Sequence, residues 1–202
     1  MSAMPAPRDR RAERYAATRR EILDAAWDLV RAHGLGALAM RELGARVGMR
    51  AQSLYAYFPS KFAIYDAMFT ESNRELLRRM SALASVRDPV EALRERARLF
   101  VAFCAEDPGR YQLLFQRTIP GFEPSPKAYA PALEVLDTAR EALRACGISD
   151  ARAIDMWTAI TSGLAAQQIS NEPGGDRWMR LTDEATDMFL AHQALAKKEE
   201  TP

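Results

Sequence analysis

The stretch MRELGARVGMRAQSLYAYFPSK, residues 40–61, decides the fold. Its first half puts Met40, Leu43, Gly44 and Val47 on one helical face, and its second half turns Leu54 and Phe58 inward. Gly48 between the halves supplies a turn conformation that a residue with a Cβ resists, and Gly44 lets a neighbouring backbone approach closely. The spacing predicts two short crossed helices, over 40–47 and 51–57, forming a helix-turn-helix. Arg50, Ala51, Gln52, Ser53 and Tyr55 then fall on or near the outer face of the second helix. Arg at that position reaches guanine O6 and N7, Gln pairs with adenine N6 and N7, and small Ala and Ser admit thymine methyls and backbone. Lys61 opens the next helix, where a cation and exposed main-chain amides suit a phosphate, and Tyr57 is a second phosphate candidate. The competing reading assigns Tyr55, Tyr57 and Phe58 to a core under the following helix. Phe58 fits that role, whereas Gln52 and Tyr57 are read as contacts to double-stranded DNA.

Upstream, Ile22, Ala26, Leu29 and Val30 recur at three- and four-residue steps, which predicts an amphipathic helix over 18–33 closed by Gly34. Residues 1–15 are Pro-, Ala- and Arg-rich without periodicity and read as a flexible basic arm. Its Arg8, Arg10, Arg11 and Arg14 are read equally as contacts to a minor groove or phosphates and as residues without a role. Net charge is only +1, but residues 1–61 hold 11 Lys/Arg against 6 Asp/Glu, leaving 17 against 21 in the remainder. The basic third is therefore the end expected to meet a polyanion.

Downstream, Pro59-Ser60 precedes a long helix over 61–83, and Asp88-Pro89 and Asp107-Pro108 start two more. The Pro- and Gly-rich stretch 119–126 is a loop, followed by helices near 128–145, 150–169 and 175–195. The fold class expected is all-α, with about nine helices. The two cysteines, Cys104 and Cys146, and the two histidines, His33 and His192, lack disulfide or metal-ligand spacing, so no metal or cofactor is expected. No apolar run suggests a secretory signal or a membrane span, and a cytoplasmic location is expected. No paired carboxylates, His-centred nucleophile or cofactor fingerprint stands out, and Glu106-Asp107 reads as a helix terminus, so an enzyme is not expected.

The segment 18–68 resembles the DNA-binding domain of the TetR family of regulators. The likeness rests on TRREILDAAWDLV, the Gly34 stop, the MRELG helix and LYAYFPSK over 54–61. It departs from the family at two caps: Ala39 and Arg50 stand where Thr or Ser usually precede the two helices, although Glu42 keeps the partner position of a capping box. A lost cap costs about 1 kcal/mol, and the family's Thr–phosphate contact does not transfer. MWTAITSGLAAQQIS, residues 156–170, resembles a C-terminal subgroup marked by Trp and His-Gly; Trp157 and Gly163 remain, but Ser162 replaces the His.

Residues 62–196 exceed what a DNA reader needs. Phe100, Phe103, Cys104, Tyr111, Phe115, Met156 and Trp157 are read either as plain core or, with Thr158, Thr161, Gln167 and Gln168 interspersed, as the lining of a mostly apolar pocket. The resemblance favours the pocket, because TetR-like regulators commonly bind a small effector there. Trp178, Leu181, Ala185, Met188, Phe189 and His192 form an apolar seam which, with Ile160 and Leu164, is expected to join two copies. The resemblance implies a two-fold dimer holding successive major grooves. The expected organisation is a basic arm (1–15), a helix-turn-helix domain (16–61), a helical effector and dimerisation domain (62–196) and a tail (197–202). The expected function is a regulator, usually a repressor, released from a palindromic operator by a small apolar effector. The alternative is a regulator without such an effector, controlled by a protein partner or by abundance.

Overall fold

The computed structural model describes residues 10–199, of which the side chains of residues 84 and 197–199 are left aside. Among the described residues the chain forms nine α-helices, three short 3-10 turns and no strand.

Helix α1 (Arg10–His33) buries Ile22, Leu23, Ala26, Trp27, Leu29 and Val30. It stops where the sequence predicts, at Gly34, whose φ of 81° a Cβ would disfavour and whose amide donates to the Val30 carbonyl. Its start differs from expectation: the helix begins at Arg10, within the stretch read as an arm. The cause is tertiary. Tyr15 stacks on Tyr57 with centroids 5.0 Å apart and its hydroxyl donates to the Ala56 carbonyl, so the first turns are tied to the helix-turn-helix. Arg8 lies outside the described residues.

Helices α2 (Met40–Arg46) and α3 (Ala51–Leu54) cross at Gly44. Regular α-helix ends at Leu54, earlier than the residue 57 that periodicity predicts. The next turn tightens instead, with the Ala56 amide on the Ser53 carbonyl and the Tyr57 and Phe58 amides both on Leu54. Pro59 disfavours the α conformation at Phe58 and ends the segment.

Helix α4 (Lys61–Ser81) is capped by Ser60, whose hydroxyl accepts from the Ala63 amide at 3.1 Å. It runs through two cores. Ile64, Tyr65, Met68 and Phe69 pack with α1, Leu43, Leu54 and Phe58, while Leu76 and Met80 pack against Val101, Phe103, Cys104, Tyr111 and Ala165. Helices α5 (Pro89–Glu106), α6 (Pro108–Phe115) and α7 (Pro126–Ala145) share one way of starting: Asp88, Asp107 or Ser125 caps the amide three residues on, and proline fills the first helical position. Asp107 also accepts from Arg31 of α1 at 3.0 Å, joining α1 to the start of α6.

Helix α8 (Ala151–Asn171) is followed by a turn region rather than a helix from 175. Pro173 and Gly174, with φ of 79°, break the path. The buried Gln168 amide organises the turn, its Oε1 accepting from the Trp178 amide at 2.9 Å and the Met179 amide at 3.3 Å. Helix α9 (Thr182–Glu199) closes the chain and is clamped to α5 by Arg94–Asp187 (2.7 Å) and Arg98–Asp183 (2.6 Å). No helix among the described residues is long and apolar enough to cross a membrane.

Candidate functional site

The outer face of α3 is assembled by the tightness of the α2–α3 crossing. A Cβ at Gly44 would sit 2.7 Å from the Met49 carbonyl oxygen and 3.2 Å from the Ala51 amide nitrogen, closer than packed atoms tolerate. Gly48 turns the chain at φ 66°, and the Met49 amide returns to the Gly44 carbonyl at 2.8 Å. Both glycines thus do what the sequence suggests. Leu54 and Phe58 are fully buried, which aims the rest of the segment outward.

Arg50, Gln52, Ser53 and Tyr55 are exposed, Tyr55 by 49%, while Ala51, Tyr57 and Lys61 are half-buried. Arg50 and Arg41 are exposed and in no ion pair among the described residues. Neither Ala39 nor Arg50 makes a side-chain cap bond, so α2 and α3 are held by packing, in contrast to α4. Lys61 lies over the Tyr65 ring at 5.9 Å, its ammonium beside the first turn of α4.

The main feature that sequence reasoning missed is the brace from α1. Arg19 donates to the Tyr57 carbonyl and lies over the Phe58 ring at 3.9 Å, and Tyr15 stacks on Tyr57. Tyr57 is therefore positioned on one side by α1. Contacts between residues about forty positions apart leave no local periodicity to detect them by.

A second feature is a cavity of about 260 Å³ between α4, α5, α7 and α8, with the end of α6 completing its wall. Of the residues expected to line it, Phe100, Phe115 and Trp157 do. Phe103, Cys104 and Tyr111 belong instead to the packed core shared with Leu76 and Met80, and Met156 points out from α8. Helical spacing marks all seven as apolar, but which side faces a void depends on the neighbouring helices. Burial pushes the Cys104 thiol up to about 12, so it is a neutral packing group. The lining that sequence reasoning missed comes chiefly from α7, including Tyr129, Leu133 and Leu136, whose three- and four-residue spacing is visible in the sequence. Arg96 of α5 joins it.

A third feature is at α9, where Met188 and Leu195 of the helix and Leu181 in the 3-10 turn just before it recur every seven residues and are exposed by 68%, 60% and 39%. His192 is exposed beside them, and Trp178, Ala185, Ile160 and Leu164 are half-buried. Phe189, expected in the seam, is instead buried in its own subunit against Trp157, with ring centroids 5.1 Å apart.

Comparison with known proteins adds the following. The family model described as bacterial regulatory proteins, tetR family, matches residues 22–68, and that described as tetracyclin repressor-like, C-terminal domain, matches residues 93–192. No curated protein sequence matches. Among solved structures, the protein SCO4313, assigned a regulatory role, is similar at a TM-score of 0.76 and 19% identity over 92% of this chain and 100% of its own. The TetR family transcriptional regulator PfmR from Thermus thermophilus is similar at 0.65 and 22% identity, over 84% and 97%. The transcriptional regulator FadR from Bacillus subtilis, in complex with stearoyl-CoA, is similar at 0.64 and 15% identity, over 85% and 97%.

Proposed function

Since the chain belongs to the TetR family of bacterial regulatory proteins and so is a DNA-binding transcriptional regulator rather than an enzyme, we propose that it acts in the cytoplasm as a homodimeric repressor released from a palindromic operator by a small apolar effector. The observation that carries this reading is the span of α4. The same helix supplies Ile64 and Tyr65 to the core beneath α3, and Phe69, Asn73 and Met80 to the wall of the cavity. An effector that binds better when α4 is shifted disfavours the operator-bound arrangement by that difference in affinity. FadR, similar in fold, is known in complex with stearoyl-CoA, a molecule with an apolar chain, and the cavity here is likewise mostly apolar.

Gln52, Ser53 and Tyr55 are the base-facing candidates, Arg50 is a candidate for a guanine edge or a phosphate, Ala51 permits close approach, and Tyr57 and Lys61 are further phosphate candidates. Selection of bound DNA from a random pool, with and without cell extract, tests the reading as a whole. Recovery of a palindrome with half-sites about 34–36 Å apart, bound less in extract, supports it; no enriched sequence refutes it. Replacing Arg50 with Ala is expected to weaken operator binding and to lower the log–log salt slope by about one per half-site. An unchanged slope removes Arg50 from the phosphate contacts.

The seam on α9 is the proposed dimer contact, with Ile160 and Leu164 of α8 beside it. Three large apolar side chains exposed at heptad spacing favour a partner helix, and in a two-fold pair the same patch of each subunit covers that of the other. Met188→Glu is expected to convert a dimer to a monomer in sedimentation at micromolar concentration. A dimer that persists unchanged places the contact elsewhere.

A further inference from the structure

The cavity wall contains one charged side chain, Arg96 of α5. Its neighbours along the helix are neutralised on the α9 side: Arg94 pairs with Glu91 and Asp187, and Arg98 with Glu91, Glu95 and Asp183. Arg96 lies between them in sequence and so points to the opposite side of the helix. It makes no ion pair among the described residues. Its Nη1 donates to the Ala92 carbonyl one turn back, at 3.1 Å, and its Nε is buried with no hydrogen-bond partner. The lining offers no carboxylate to balance it; its other polar side chains are Asn73 and the hydroxyls of Tyr129, Thr138, Thr158, Thr161 and Ser162. A guanidinium stays charged and presents five donors; here it is half-buried at the cavity wall, in no ion pair, with donors left for a ligand.

We propose that the effector is a monocarboxylate with an apolar body. Arg96 takes the carboxylate, and Phe69, Phe100, Leu133 and Trp157 enclose the hydrocarbon or aryl part. The proposal rests on the effector reading given above and sharpens it from an apolar molecule to an apolar anion. One guanidinium matches a single negative charge through paired N–H donors, whereas a phosphate monoester brings close to two charges. The cavity measures about 260 Å³ and its lining is mostly apolar. That suits a short fatty acid or a phenylalkanoic acid.

The test is calorimetric titration of the full chain with octanoate and 4-phenylbutyrate, their neutral amides, and octanoyl-CoA. The acids are expected to bind about 10- to 100-fold more tightly than the amides, the range for a hydrogen bond to a charged group in a buried site. Arg96→Gln is expected to bring the acids down to the level of the amides, with circular dichroism and thermal melting like the parent's showing that the variant is folded. Arg96→Lys, which keeps a cation, is expected to retain part of the preference. Equal binding of acid and amide by the parent protein, or an acid preference that survives in Arg96→Gln, overturns the carboxylate assignment and leaves an apolar effector standing. Tighter binding of octanoyl-CoA than of octanoate, insensitive to Arg96→Gln, also overturns it. Failure of acids, amides and thioester alike to bind at millimolar concentration overturns the assignment together with the effector reading.

Discussion

A Gly44→Val variant is expected to lose operator binding by more than a hundredfold while keeping its overall helical content. The added Cβ meets the Met49 carbonyl oxygen at 2.7 Å and the Ala51 nitrogen at 3.2 Å, and both are main-chain atoms that cannot rotate aside. Relief requires α3 to move away from α2, which shifts every outward side chain from Arg50 to Tyr55 relative to the groove. Overpacking of this kind costs about 1–3 kcal/mol, spread over helices of only seven and four residues. Gel-shift titration gives the binding loss, and circular dichroism shows that the rest is intact. Gly48→Ala is the useful contrast. Its φ of 66° imposes strain, but nothing lies within 4 Å of an added Cβ, so only about 1 kcal/mol is expected. If both variants bind DNA like the parent, the close crossing is not what orients α3.

Phe58→Ala is expected to produce the larger loss of stability, about 3–5 kcal/mol. The ring is 1% exposed, packed in the core with Leu54 and Ile64, and covered by the Arg19 guanidinium at 3.9 Å. Deleting it leaves a cavity and strands that cation against an empty face. At roughly 2–4 °C of melting temperature per kcal/mol for a chain of this size, the melting temperature is expected to fall by about 6–20 °C. A shift of less than about 2 °C contradicts the packing role of Phe58.

Much of the reading head was legible because its constraints are local. Gly44 and Gly48 stand where two helices cross and turn, and Leu54 and Phe58 sit at inward spacing. The absent caps at Ala39 and Arg50 were legible for the same reason, since a cap is a property of one residue and the amides just after it. The brace of Tyr15 and Arg19 was not, because it joins segments whose proximity only the completed fold creates. The helical domain divides in the same way. Amphipathic spacing identified α5, yet it could not separate Phe100, which faces a void, from Phe103 and Cys104, which face packed neighbours. Arg96 was hidden for another reason: in the run RERAR, residues 94–98, nothing local distinguishes it from Arg94 and Arg98. Only the positions of α7 and α9 show that Arg94 and Arg98 meet carboxylates while Arg96 does not.

The passage of α4 through two cores also bears on how this protein could be rebuilt. A hybrid that grafts this reading head onto a foreign sensor has no clean splice at the start of α4, because Ile64, Tyr65, Met68 and Phe69 belong to the head's interior and Leu113 of α6 closes it. Cutting before Lys61 removes the floor of the head, and cutting after Phe69 leaves a foreign surface to fill the place of Leu113. A working chimera has to carry the first turns of α4 with the head and choose a recipient whose sixth helix brings a residue of similar bulk to that spot. Modularity in this chain therefore follows the packing, and the exchangeable unit is larger than the helix-turn-helix itself.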